Sequence, residues 1–115
     1  MKKYFTLIVL VTTVFILSNC HTARKAMKEI PKLTFETNLK LVVAGNCTPC
    51  HIPAKGGNKK PFDNYENVKT NIDEMIRRIE LAPAEKGFMP FKRAKLSDST
   101  VAIFKQWRTD GLLEK

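Results

Sequence analysis

Cys47-Thr48-Pro49-Cys50-His51 is the stretch on which both the fold and the chemistry turn. Two thiols at positions i and i+3 share one side of a single tight turn, and the imidazole that follows is delivered beside them. Each sulfur can form one thioether, and the His nitrogen can bind a metal held at the centre of the attached group. C-x-x-C-H is the attachment signature of a c-type haem. It supplies two covalent anchors, Cys47 and Cys50, and one axial iron ligand, His51. A single motif implies one haem c.

Other chemistry uses parts of this pattern. A thioredoxin-like dithiol also has C-x-x-C, but within an alternating strand–helix pattern, which is missing here, and it leaves His51 without a purpose. A structural zinc site needs four ligands. Only Cys47, Cys50 and His51 cluster, since the remaining Cys20 and His21 lie near the N-terminus. A disulfide between Cys47 and Cys50 would close a tiny loop and contribute little.

Outward from the motif, the N-terminus carries an export pattern. Lys2 and Lys3 precede an apolar run from Phe5 to Leu17, broken only by Thr6, Thr12 and Thr13. That run is too short for a stable membrane span and suits a signal-peptide core, so residues 1–19 are expected to be removed. Leu17-Ser18-Asn19-Cys20 resembles the lipobox of bacterial lipoproteins, with Asn19 where Gly or Ala is usual. The resemblance implies a lipid on Cys20, a polar tether over 20–32 and a membrane-anchored domain over 33–115. An exported, periplasmic or cell-envelope location agrees with the haem motif, because in bacteria haem is joined to such chains outside the cytoplasm.

Loss of residues 1–19 leaves 96 residues, enough for one small domain. The full chain is +9, and without Lys2 and Lys3 it is +7. No nucleic-acid recognition motif accompanies that charge, and an exported chain rarely meets nucleic acid. An acidic redox partner or an anionic lipid surface fits better.

Within the domain, Phe35, Leu39, Val42 and Val43 fall near helical spacing, so a helix is expected over 34–43, with Thr34 as its cap and Gly45 as its terminator. Pro53, Gly56, Gly57, Asn58 and Pro61 mark 52–64 as a loop. A second helix is expected over 65–81, with Val68, Ile72, Met75, Ile76 and Ile79 on one face and Pro83 after it. Gly87-Phe88-Met89-Pro90-Phe91 is a loop, because the residue before proline is pushed out of the helical region. A last helix opens at Ser97-Asp98, presents Val101, Ile103, Phe104 and Trp107, and closes at Gly111. No strand is expected. The fold class is all-α.

Three helices around a C-x-x-C-H turn, with Met89-Pro90 and then Leu96-Ser97-Asp98 opening the final helix, resemble the class I cytochrome c family over residues 33–113. The stretch 71–91 also resembles small monohaem cytochromes of bacterial lipoprotein type. The resemblance implies a small fold of three or more helices around one covalently bound haem. Its first and last helices cross, here through Phe35 or Leu39 against Phe104 or Trp107. It also implies Met89 as the second axial ligand. Independently, a loop methionine can extend its thioether without unwinding a helix. Met1 lies in the signal peptide, Met27 in the tether, and Met75 on the apolar face of its helix, where core packing explains it. In the family a proline carbonyl often accepts the axial His N–H, which makes Pro53 and Pro61 the candidates.

The function these residues imply is one-electron transfer by a membrane-tethered monohaem cytochrome, an electron carrier rather than an enzyme. His–Met ligation leaves no open iron site and raises the potential. The alternatives are a haem-bearing subunit of a larger redox enzyme or, were Met89 not bound, a small-ligand sensor or peroxidase. Lys55, Lys59 and Lys60 follow the motif, while Lys86, Lys92, Arg93 and Lys95 flank Met89. Together they form a candidate docking face for an acidic redox protein.

Overall fold

Thr34 opens the first helical run by accepting the Thr37 N–H on its hydroxyl at 3.3 Å, the bond expected of an N-cap. In the computed structural model, which describes residues 30–115, the chain behind this cap makes a wide π-type turn over Phe35–Leu39. It continues as α1, Lys40–Cys47. The sequence expectation ended this helix before Gly45; the helix instead passes through Gly45 to Cys47. Gly45 lacks the positive φ of a helix-terminating glycine, and a Cβ there would meet nothing within 4 Å. It is an ordinary helical position. The first cysteine is therefore the last residue of α1, and the terminus itself aims the thiol.

The other two helices follow their sequence signals closely. α2, Tyr65–Glu80, is capped by the Asn64 side chain, which accepts the Asn67 N–H at 2.9 Å. It buries Val68, Ile72, Met75, Ile76 and Ile79. α3, Asp98–Thr109, is capped by Ser97, which accepts the Thr100 N–H at 3.2 Å, and buries Val101, Phe104 and Trp107. Gly111, at φ 100°, turns the chain out of α3, a conformation open to glycine at little steric cost.

Phe35 meets Trp107 with ring centroids 6.2 Å apart, and Tyr65 closes the cluster edge-on to Phe35 at 5.9 Å. Trp107 is fully buried, and its indole N–H still finds a partner, the Leu113 carbonyl at 2.8 Å. The same carbonyl accepts the Phe35 N–H at 2.8 Å, and the Tyr65 hydroxyl donates to the Leu112 carbonyl at 2.9 Å. The C-terminal tail thus staples the opening turn to α2 and α3. Among the described residues the only β-type pairing is the isolated Thr34–Leu113 bridge. No helix of the described residues is long and apolar enough to cross a membrane. The expectations for residues 1–29, namely the signal peptide 1–19, the lipid on Cys20 and the tether up to that point, lie outside the described residues.

Candidate cofactor site

Below α1 the chain makes two tight reversals. The His51 N–H donates to the Cys47 carbonyl and the Ile52 N–H to the Pro49 carbonyl, each at 3.0 Å. A short 3-10 turn over Pro53–Lys55 follows. The returning chain then bonds to the motif: the Lys59 N–H donates to Cys50 O at 3.0 Å and the Phe62 N–H to His51 O at 2.8 Å. Gly57 packs directly on the turn. A Cβ there would collide with Pro49 O and approach Cys50 O to 2.7 Å and Ile52 N to 2.8 Å, all backbone atoms.

This return decides the state of His51. Nδ1 lies 2.6 Å from the Lys60 carbonyl. A carbonyl can only accept, so Nδ1 carries a hydrogen, and in the neutral ring the lone pair then lies on Nε2. Neither expected proline supplies the acceptor. Pro53 O already receives the Gly56 N–H at 2.9 Å within its own turn, and the backbone pairing brings Lys60, one residue before Pro61, opposite the ring. The Phe62 ring then lies flat on the imidazole, with centroids 4.4 Å apart and planes 10° from parallel.

Met89 reaches the same region from another part of the chain. The loop after α2 is anchored by the buried Phe88 and by the Met89 N–H, which donates to Arg78 O at 3.2 Å. The Arg78 guanidinium donates to Glu74 at 2.6 Å and reaches Gly87 O at 3.5 Å. With Arg77 adding two 2.7 Å bonds, the Glu74 carboxyl is held down at about 2 by these hydrogen bonds. On the far side, Arg93 donates to the Asn46 and Thr48 carbonyls at 3.3 and 3.4 Å, near the exposed end of α1. That placement suits a cation at a helix C-terminus.

The two segments and the inner face of α2 enclose a cavity of about 560 Å³. This lies within the roughly 300–1,000 Å³ of small-molecule and cofactor sites. Cys47, Cys50, His51 and Met89 all border it, and Ile79, Leu96 and Phe104 supply apolar wall. Met75 borders it too, so its side chain belongs both to the core and to the cavity wall. Burial pushes the Cys47 thiol up to about 11, with the Arg93 charge opposing. That environment is the reverse of an activated redox thiolate. Both cysteines are free thiols, and no group of three or more His, Cys, Asp or Glu among the described residues could hold a metal ion.

Of the seven cations expected near one edge, Lys59, Lys60 and Arg93 border the cavity. Arg78 joins them, a residue whose sequence position on α2 gave no hint of it. Lys95 instead donates to the Glu80 carbonyl at the end of α2, at 2.9 Å. Gly57, Phe62, Arg78 and the Lys60 carbonyl were missed by sequence reasoning. Only the Gly56-Gly57 pair offered a signal, since adjacent glycines mark a close backbone approach. A second, more open hollow of about 420 Å³ lies against α3, where Lys105 already pairs with Glu80 at 2.8 Å. Comparison with known proteins finds no family model, no characterised protein and no solved structure that matches this chain.

Proposed function

We propose that this chain is a one-electron carrier, a monohaem c-type cytochrome of class I type, tethered to a membrane through a lipid on Cys20. One observation carries the reading: the Cys47, Cys50 and His51 motif and Met89, 38 residues beyond it in sequence, border one largely apolar cavity. The donor set suits haem chemically. Cys47 and Cys50 would hold it by thioethers, and His51 Nε2 and the Met89 sulfur would be its axial ligands. Bound haem supplies a reversible Fe(III)/Fe(II) couple, and a His–Met pair raises its potential.

The remaining work falls to the chain. The Lys60 carbonyl holds the tautomer that leaves Nε2 free. Ile79, Leu96 and Phe104 give the cavity an apolar wall, which favours the less charged redox state. Lys59, Lys60, Arg78 and Arg93 give the rim a positive potential, suited to a redox protein with an acidic face. Such a carrier needs no substrate pocket beyond the cofactor's own.

The test is covalent retention. The chain, produced with haem-attachment machinery, should keep haem through acid-acetone extraction and denaturing electrophoresis. Cys47→Ala or Cys50→Ala should weaken that retention, since each removes one thioether. The oxidised wild type should show the weak near-infrared band of a sulfur–iron bond, and Met89→Ala should abolish it. Complete release of haem from the wild type would reject the proposal. Loss of the band in Met75→Ala but not in Met89→Ala would move the ligand to α2.

A further inference from the structure

One hydrogen bond cannot orient an imidazole. The contact from His51 Nδ1 to Lys60 O fixes the direction of the Nδ1–H, yet the ring can still rock about that line. The second torsion of a His side chain is intrinsically broad, with no sharp staggered wells to hold it. A flat surface against the ring face removes that freedom, and Phe62 provides one. Its ring lies 4.4 Å from the imidazole and within 10° of parallel, close to the near edge of the usual aromatic stacking range. Phe62 is itself fixed at its backbone, because its N–H donates to His51 O at 2.8 Å. The same residue pair is thus locked twice, once through main chain and once through side chains. Gly57 backs the turn from behind, where no side chain could fit.

We propose that Phe62 is a positioning residue for His51: its ring sets the imidazole plane before any iron is bound. The inference rests on the haem reading for its consequence, because imidazole orientation governs how an axial ligand overlaps the metal orbitals, a property tuned by groups around the ligand. Phe62 is only partly buried and packs at the margin of the core. A purely space-filling role would be met by any apolar side chain of similar bulk.

Phe62→Leu keeps apolar bulk and removes the flat face, while Phe62→Tyr keeps the face. In the haem-loaded full chain, the ferric low-temperature electron paramagnetic resonance spectrum should show one low-spin species for the wild type and for Phe62→Tyr. Phe62→Leu should resolve into several species or broaden. A Phe62→Leu spectrum identical to wild type overturns the proposal, whatever the thermal stability of the variant. Haem retention on a denaturing gel, read from the same preparations, reports on the electron-carrier proposal separately. Should the wild type hold no covalent haem, that proposal fails and the stacking is read by NMR on the chain as isolated. The His51 ring protons should then be shifted upfield in wild type and Phe62→Tyr, and lose that shift in Phe62→Leu. Equal shifts in all three overturn the inference.

Discussion

Two segments bring ligand-type side chains to the cavity, and they are built differently. Residues 47–62 hold themselves: four backbone bonds between 2.8 and 3.0 Å link Cys47, Pro49, Cys50 and His51 to residues of the same short stretch. Residues 81–96 form tight turns of their own, but take their position from elsewhere. Their ties run to Arg78 O at 3.2 Å, from the Arg78 guanidinium at 3.5 Å, through the exposed Lys95 side chain to Glu80 O at 2.9 Å, and through Arg93 to α1 at 3.3 and 3.4 Å. Short local main-chain bonds survive local fluctuation better than long contacts to exposed side chains. The His51 side is pre-set, and the Met89 side should open first.

The sharpest way to break the contrast is Gly57→Ala. The new methyl would strike backbone oxygens and a backbone nitrogen of the motif turn, and backbone cannot step aside as a flexible side chain can. We expect a loss of about 3 kcal/mol, at the upper end of overpacking penalties, and a fall in Tm of about 10 °C or more by circular dichroism. A Tm within about 2 °C of wild type would mean that the His51 segment yields easily, and the contrast would fail.

Arg78→Met probes the other segment. Methionine preserves the packing of the arginine stem but loses the bonds to Glu74 and Gly87 O. Global stability should drop by about 1 kcal/mol, while exchange of the Met89 amide quickens by roughly tenfold and that of Phe62 stays as it was. Equal acceleration at both amides would show that the segments open together.

These differences also mark what the sequence could reveal. Capping and periodicity are local, so Thr34, Asn64, Ser97 and Gly111 bound helices close to where short-range patterns put them. The Phe35–Trp107 contact is one of the pairings that the family resemblance implied for the first and last helices. Gly45 misled because a glycine ends a helix only if its φ turns positive, and the motif turn pulls α1 on to Cys47. The acceptor facing His51 Nδ1 is neither Pro53 nor Pro61, and the sequence could not select it because a carbonyl carries no side-chain signature; only the backbone pairing of 59–62 with the motif selects Lys60. Arg78 and Phe62 were invisible for a similar reason, since each acts across a tertiary gap.

Acid should separate the segments more gently. The Glu74 carboxyl is held at about 2 by hydrogen bonds from Arg77 and Arg78, below the value near 4.3 of a free glutamate. A depressed folded value means that the unfolded chain binds the extra proton first. The stabilisation is therefore complete above the unfolded value and fades as pH falls through about 2. Glu74→Gln lacks this charge at every pH. The gap in urea midpoint between wild type and Glu74→Gln should be steady near neutrality, narrow below about pH 4.3, and largely close at the acid end. A gap unchanged over that range would detach Glu74 from the stability of this region.

Arg93→Gln gives the smallest expected change in stability and tests the link between the two segments. Its bonds to Asn46 O and Thr48 O are long and exposed, so their removal should cost less than about 1 kcal/mol. The informative readout is the neighbouring thiol. Burial raises Cys47 to about 11, and the Arg93 charge is what works against that rise. Without the charge the thiolate becomes scarcer still, and it is the thiolate that reacts with an alkylating agent. In the chain with both thiols free, iodoacetamide at pH 8 should label the exposed Cys50 well before Cys47, and Arg93→Gln should slow Cys47 further while leaving Cys50 nearly unchanged. Faster labelling of Cys47 in the variant would reveal something different: that Arg93 works mainly as a clasp, whose release opens the cavity and exposes the thiol more than the lost charge protects it.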